Sequence, residues 1–205
     1  MKYTFIDIGC SHFSVSVDTF GLDVNGLLIE PIKEYCNVLP HSKTVQIENS
    51  AIGTERGIAS FNACIPENLK YFTSQEMNEI IDDPVKQHEF VNQYGGSGLS
   101  SFLNSDKLDI SKETLNIINV NVITLQDLVE KYNITEIDYL KIDVEGFESI
   151  VLEQLVVLLD NNIIKINKEI RFEYNRLGSD TKEEMDNAYL HICEKYGFTA
   201  KFIND

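Results

Sequence analysis

The sequence predicts one α/β domain built on a mostly parallel sheet with helices against its faces, and three observations carry that expectation. Short apolar runs rich in β-favouring residues alternate with stretches of helical spacing along most of the chain. The first three runs, Tyr3 to Ile8, Gly26 to Ile29 and Thr44 to Glu48, read as βαβαβ; crossovers of this kind are right-handed in roughly 98% of cases. A later run, Tyr139-Leu140-Lys141-Ile142, stops at Asp143, Val144, Glu145 and Gly146 before helical spacing resumes over Phe147 to Leu159. That pattern sets two carboxylates beyond the carboxyl end of a buried strand, the edge at which open parallel sheets bind ligands.

Taken in order, the first strand ends at Gly9, and Cys10-Ser11-His12 turns the chain into a helix reaching about Phe20. The second strand ends at Glu30-Pro31, with Pro31 suited to the first position of a helix running to about Leu39. The third strand leads into Asn49-Ser50-Ala51-Ile52-Gly53. From Thr54 to about Asn116 the alternation breaks: the stretch is polar, holds Pro66 and Pro84, and contains the glycines of Tyr94 to Phe102. A structureless loop of that length does not suit a compact domain, so residues 54–116 of the single 1–205 domain are expected to form an inserted cap. It would carry a helix near Ser74 to Tyr94, with the glycines as stop and hinge. Ile117 to Val122 reads as a strand, and Thr124 caps a helix over Leu125 to Leu128. The sheet resumes at Ile137; Ile166 to Glu173 is a further strand, Lys182 to Tyr196 a helix, and Phe198 to Ile203 a closing strand.

Composition narrows the function. With 205 residues the chain is long enough for one sizeable core, and 43% hydrophobic with 24% charged residues is ordinary for a globular protein. Seventeen basic against thirty-three acidic residues give a net charge of −16, which repels phosphate backbones and acidic membrane surfaces. Nucleic acid and membrane partners are therefore not expected. Cys10, Cys36, Cys64 and Cys193 form no Cys-x-x-Cys pair, which points to neither a zinc site nor a disulfide framework. A reducing cytoplasmic location fits, because the first apolar run is too short for a signal segment or a membrane span. The chain is expected to enter its first strand directly, with no upstream substrate-binding segment.

Asp143 and Glu145 are the first functional candidates, while Glu148 suits the positive end of a helix dipole. Lys141 and Asp143 are two apart and share a strand face, where an unpaired charge would be costly. Gly9 to Ser14 is a small-residue turn that presents backbone N–H groups at a helix start. Glu30, at the end of the next strand, is placed to accept hydrogen bonds from both ribose hydroxyls of an adenosine cofactor. A nicotinamide dinucleotide needs a Gly-x-Gly-x-x-Gly turn, and here only Gly9 is present. Asp7 opposes a diphosphate but suits the ammonium group of an adenosylmethionine.

Phe5-Ile6-Asp7-Ile8-Gly9, Ile29-Glu30-Pro31, Asn49 to Gly53, Ser100-Ser101-Phe102, Val122 to Leu128, Leu140 to Glu148 and Phe172-Glu173 occur in an order that resembles the FkbM family of S-adenosylmethionine-dependent methyltransferases. Its most specific piece is Leu-Lys-Ile-Asp-Val-Glu-Gly-x-Glu over Leu140 to Glu148. The resemblance implies the class I methyltransferase Rossmann-like fold, a seven-stranded sheet with a final antiparallel strand. It also implies O-methylation of a small molecule or sugar. By position, Asp7, Gly9, Cys10 and Ser11 would line the methionine end of the cofactor, Glu30 would hold the ribose, and Ser50 and Ala51 would border the adenine. Asp143 and Glu145 would stand at the methyl-transfer centre, Asp143 also touching the cofactor, with Glu173 on the neighbouring strand end. His88, Ser100, Ser101 and Glu173 are the expected acceptor-binding residues. The family's turn usually reads Asp-x-Gly-Ala-Asn-x-Gly, whereas this chain has Ser11 for the asparagine and Phe13 for the later glycine.

A hydroxyl acceptor must lose a proton, and Asp143 or Glu145 is the expected base, with His88 as the alternative. Asp143, Glu145 and Glu173 offer oxygen ligands to a hard cation such as Mg²⁺, but their spacing matches no dedicated metal motif, so no metal is expected. The competing reading is a non-catalytic binding or scaffold protein whose cofactor site Phe13 has closed.

Overall fold

A computed structural model describes residues 1–63, 116–174 and 182–199 of the chain. Five strands form a parallel sheet: β1 (Lys2–Ile8), β2 (Gly26–Ile29), β3 (Val45–Glu48), β7 (Glu136–Ile142) and β8 (Lys165–Phe172). Their order is β3-β2-β1-β7-β8, so the chain reverses its winding between β1 and β7, at the centre of the sheet. The remaining strands, β4 (Ala51–Ile52), β5 (Gly57–Ala63) and β6 (Asn116–Ile123), form a separate sheet in the order β4-β6-β5. Among the described residues the helices are α1 (Val15–Phe20), α2 (Lys33–Val38), α3 (Leu125–Lys131), α4 (Glu148–Asp160) and α5 (Lys182–Tyr196).

The central strands are buried on both faces, which is why they read as continuous apolar runs. Ile6, Ile8, Leu27, Ile29, Leu140 and Ile142 pack with Val151, Leu152 and Leu155 of α4 and Met185 and Ile192 of α5. Phe5, Leu28 and Val45 point the other way, toward Val17 of α1 and Leu39. A fully buried Leu, Ile or Phe contributes about 1.5–3 kcal/mol, so this two-sided packing fixes the register. In that register Asp7 of β1 lies directly opposite Lys141 of β7.

Several boundaries shift for local reasons. The second helix starts at Lys33, after Pro31, because the Ile32 N–H donates to Glu30 Oε1 and Ile32 stays extended as the N-cap. Thr124 does cap α3, in a full capping box with Asp127. Strand β5 falls inside the stretch expected to break the sheet pattern. It pairs antiparallel with β6, burying Phe61 and Ala63 beside Ile32 and Tyr35. Its alternation is carried by small and polar residues (Ala59, Ser60, Asn62), which hid the strand in the sequence. The rest of the expected cap, including the helix near Ser74 to Tyr94, lies outside the described residues. Of the closing strand, Phe198 and Thr199 are described and carry no strand, and the remainder lies outside. No helix among the described residues is long and apolar enough to cross a membrane.

Gly9 joins the two central strands. Its φ is +82°, and a Cβ there would lie 1.8 Å from the Asp143 carbonyl oxygen. The Gly9→Ala variant is therefore expected to lose roughly 3 kcal/mol or more, combining left-handed strain with backbone overlap. Urea unfolding checks this, and a loss below about 1 kcal/mol would contradict the contact.

Candidate active site

The carboxyl ends of β1, β2 and β7 open into one cleft, and β4 and β5 close its side. The β1 turn supplies Gly9 and Ser11, the β2 end supplies Glu30 and Pro31, and the chain after β3 supplies Ser50, Ala51 and Ile52. The turn after β7 supplies Asp143, Val144, Glu145 and Phe147. Tyr35 and Phe61 complete an apolar wall.

Glu30 stands at the centre and is only 4% exposed. Its Oε2 accepts the Ser11 N–H at 2.8 Å and its Oε1 accepts the Ile32 N–H at 2.8 Å. Burial pushes its pKa up to about 8 although both N–H bonds and Lys141 pull the other way; Asp7 adds to the rise. A carboxyl held so high is one that further hydroxyl donors would stabilise in its charged form. Ser11 reaches it by taking φ 57°, a region asparagine enters more easily than serine, which gives a physical meaning to the asparagine usual there. Phe13 is not among the walls; it meets the buried His12 ring edge-on at 5.2 Å. The His12 ring also lies 5.5 Å from that of Tyr35, and burial lowers its pKa to about 4, so it is a neutral packing element beneath the turn.

Two residues expected at the cofactor lie beneath the cleft floor. Asp7 is fully buried and takes the Ser14 hydroxyl at 2.7 Å on Oδ2, while its Oδ1 lies 3.3 Å from Lys141 Nζ. Cys10 is also buried, with Sγ directed at the carbonyls of Ile29, at 3.3 Å, and Asp7, at 3.5 Å. Burial raises its thiol pKa well above the ordinary value, so it is structural and unreactive. Ser50 lies at the wall and donates to Glu48 Oε1 at 2.8 Å; Glu48 Oε2 is held by Lys131 and Tyr132.

After β7, Lys141 Nζ donates to Asp143 Oδ2 at 2.9 Å. Glu145 follows at φ 50°, and its turn is fixed by Glu148, which accepts the Val144 N–H at 2.8 Å and the Gly146 N–H at 2.9 Å. Glu148 is thus a buried clamp as well as a helix-start charge. Burial raises the Glu145 pKa to about 8, helped by Glu173, Asp143 and Glu148 and opposed by Lys141. Carboxylate oxygens of Asp143, Glu148 and Glu173 lie within 4.8 Å of one another, so Glu148 stands in this trio where the sequence pattern pointed to Glu145. Both Glu148 oxygens already hold backbone N–H groups, and Glu173 is exposed, so no metal role is assigned. His88, Ser100 and Ser101 lie outside the described residues.

A ligand cleft at the switch point of a parallel sheet, with a buried acid at the end of the second strand, defines a nucleotide-cofactor α/β enzyme fold. The family model of the methyltransferase FkbM domain matches residues 10–200, and the chain belongs to that family. No curated protein and no solved structure was found to match it. FkbM methyltransferases use S-adenosylmethionine. The residues present suit such a molecule: Glu30 offers a carboxylate to a diol, and Pro31, Ile52 and Phe61 offer apolar surface to a flat base.

The two acids raised to about 8 make stability fall with pH. Glu30 and Glu145 hold protons up to about pH 8 when folded but titrate near 4.5 when unfolded, so the native state binds more protons between those values. His12 opposes this only below its ordinary 6.5. The melting temperature of the ligand-free protein is therefore expected to drop as pH rises from about 6.5 to 8, and a Glu30→Gln/Glu145→Gln variant should flatten the slope. Scanning calorimetry across that range reads it; equal slopes for the two proteins would contradict the assignment.

Proposed function

We propose that this chain binds S-adenosylmethionine in the cleft and methylates a hydroxyl group of a small molecule or sugar, with Glu145 taking the proton. When bound, the cofactor supplies a sulfonium-activated methyl group for in-line displacement. Glu30 would hold the ribose, Ser50, Ala51, Pro31 and Phe61 would surround the adenine, and Gly9, Ser11 and Asp143 would border the amino-acid end. Most of the acceleration in such a site comes from fixing donor and acceptor together, a source worth about 7–11 kcal/mol in well-oriented systems.

The observation that carries hydroxyl methylation is Glu145, a half-buried carboxyl at the cleft wall with its pKa at about 8. A base is most effective when its pKa lies near the working pH, and a sulfonium displacement leaves the chain only that proton to manage. Asp143 has an oxygen committed to Lys141, which makes it the weaker choice for base and the better one for binding. Glu173 stands beyond β8 on the same side and would meet the acceptor. The net charge of −16 favours a neutral or cationic acceptor over a polyanion. Phe13 does not line the cleft, which supports an open cofactor site over a closed, non-catalytic one.

Calorimetry should show micromolar binding of S-adenosylmethionine and S-adenosylhomocysteine, and none of NAD. Screening sugars and polyketide-type alcohols with labelled methyl donor should then give turnover that rises with pH through about 8. The Glu145→Gln variant should keep its S-adenosylhomocysteine affinity within about threefold while losing about 10²–10⁴-fold in rate. Full turnover in that variant would remove Glu145 as the base, and absence of adenosyl binding would sink the whole reading.

A further inference from the structure

Lys141 is a largely buried charged residue to which the proposed chemistry gives no part. It sits on a central strand, buried enough that its side chain is 18% exposed, and is absent from the cleft wall. Its ammonium meets Asp143 Oδ2 at 2.9 Å, Asp7 Oδ1 at 3.3 Å and the Gly9 carbonyl at 3.5 Å. The three contacts tie the last turn of β1 to the end of β7. Asp7 is itself anchored by Ser14, the residue that caps α1. Acids crowd the same region: Glu145, Glu148 and Glu173 all lie near Asp143, and their mutual repulsion would displace a carboxylate that nothing held. Among the described residues, Asp143 makes its hydrogen bond and ion pair through Oδ2.

We propose that Lys141 is a positioning residue: bridging Asp7 and Asp143, it fixes the Asp143 carboxylate at the cleft wall with one oxygen bound and the other presented to the ammonium end of the cofactor. This rests on the cofactor reading above. Its chemistry is that of a charge clamp. One cation lies in ion-pair range of a buried carboxylate and hydrogen-bonds a second, so a cationic amino group entering the cleft meets an acceptor already in place. A mobile Asp143 would have to be ordered at the moment of binding, and affinity for the amino-acid portion would fall.

Two ligands separate this from a purely structural role. S-Adenosylhomocysteine carries the amino-acid portion, and 5′-methylthioadenosine lacks it while sharing the adenosine. Lys141→Met alone strands the buried Asp7 charge and could unfold the chain, so the decisive protein is Asp7→Asn/Lys141→Met, which removes both charges with near-isosteric side chains. In the wild type, S-adenosylhomocysteine should bind at least about tenfold tighter than methylthioadenosine. In the double variant, with cooperative melting retained, that advantage should shrink to below about threefold while methylthioadenosine affinity holds; Lys141→Arg should restore most of it. An unchanged advantage, or a parallel loss for both ligands, would overturn the positioning role and leave the cofactor reading standing. Failure of the wild type to bind either adenosyl ligand would overturn both.

Discussion

An ammonium group stands where the two central strands end, and much of the site depends on it. Lys141 Nζ lies between Asp7 and Asp143, within 3.3 Å of each. Removing one partner of a buried ion pair costs about 3–5 kcal/mol, because the remaining charge is stranded away from water. The parallel register that sets Lys141 opposite Asp7 is fixed by apolar packing on both faces of the sheet. Packing thus decides the register, the register brings the charges together, and the charges set the carboxylate that faces the cleft.

Glu30 and Glu145 work from the opposite circumstance. Each is drawn out of water, and burial raises each to about 8. The β1 turn is built around Glu30: Ser11 adopts a left-handed backbone to donate to it, and His12 packs neutral and buried beneath. The β7 turn is built around Glu145, with Glu148 holding its neighbours' N–H groups. In both turns local strain is matched by a hydrogen bond, which is how a cleft keeps acids poised for a ligand.

Much of this was legible in the sequence because burial writes itself as apolar runs. The five parallel strands, α5 and the Thr124 cap all fall where periodicity and capping chemistry put them. Glu30, Asp143 and Glu145 line the cleft because a strand's end is visible as the point where the run stops, and Ser50 and Ala51 line it as the family resemblance implied. What stayed hidden depends on partners distant in the chain. Asp7 and Cys10 look like turn residues, but the sheet buries them under the floor. The contributions of Tyr35 and Phe61 come from packing between α2 and the second sheet, whose strand β5 alternates too weakly to be read. Glu148 resembles any acid at a helix start until its two N–H partners are seen.

The most direct test is the structure of the complex with S-adenosylhomocysteine. The ribose hydroxyls are expected on Glu30, the amino group on Asp143, and the Lys141 bridge to Asp7 and Asp143 intact. A ligand bound outside this cleft, or Lys141 released from Asp143 and turned onto the ligand's carboxylate, would contradict it.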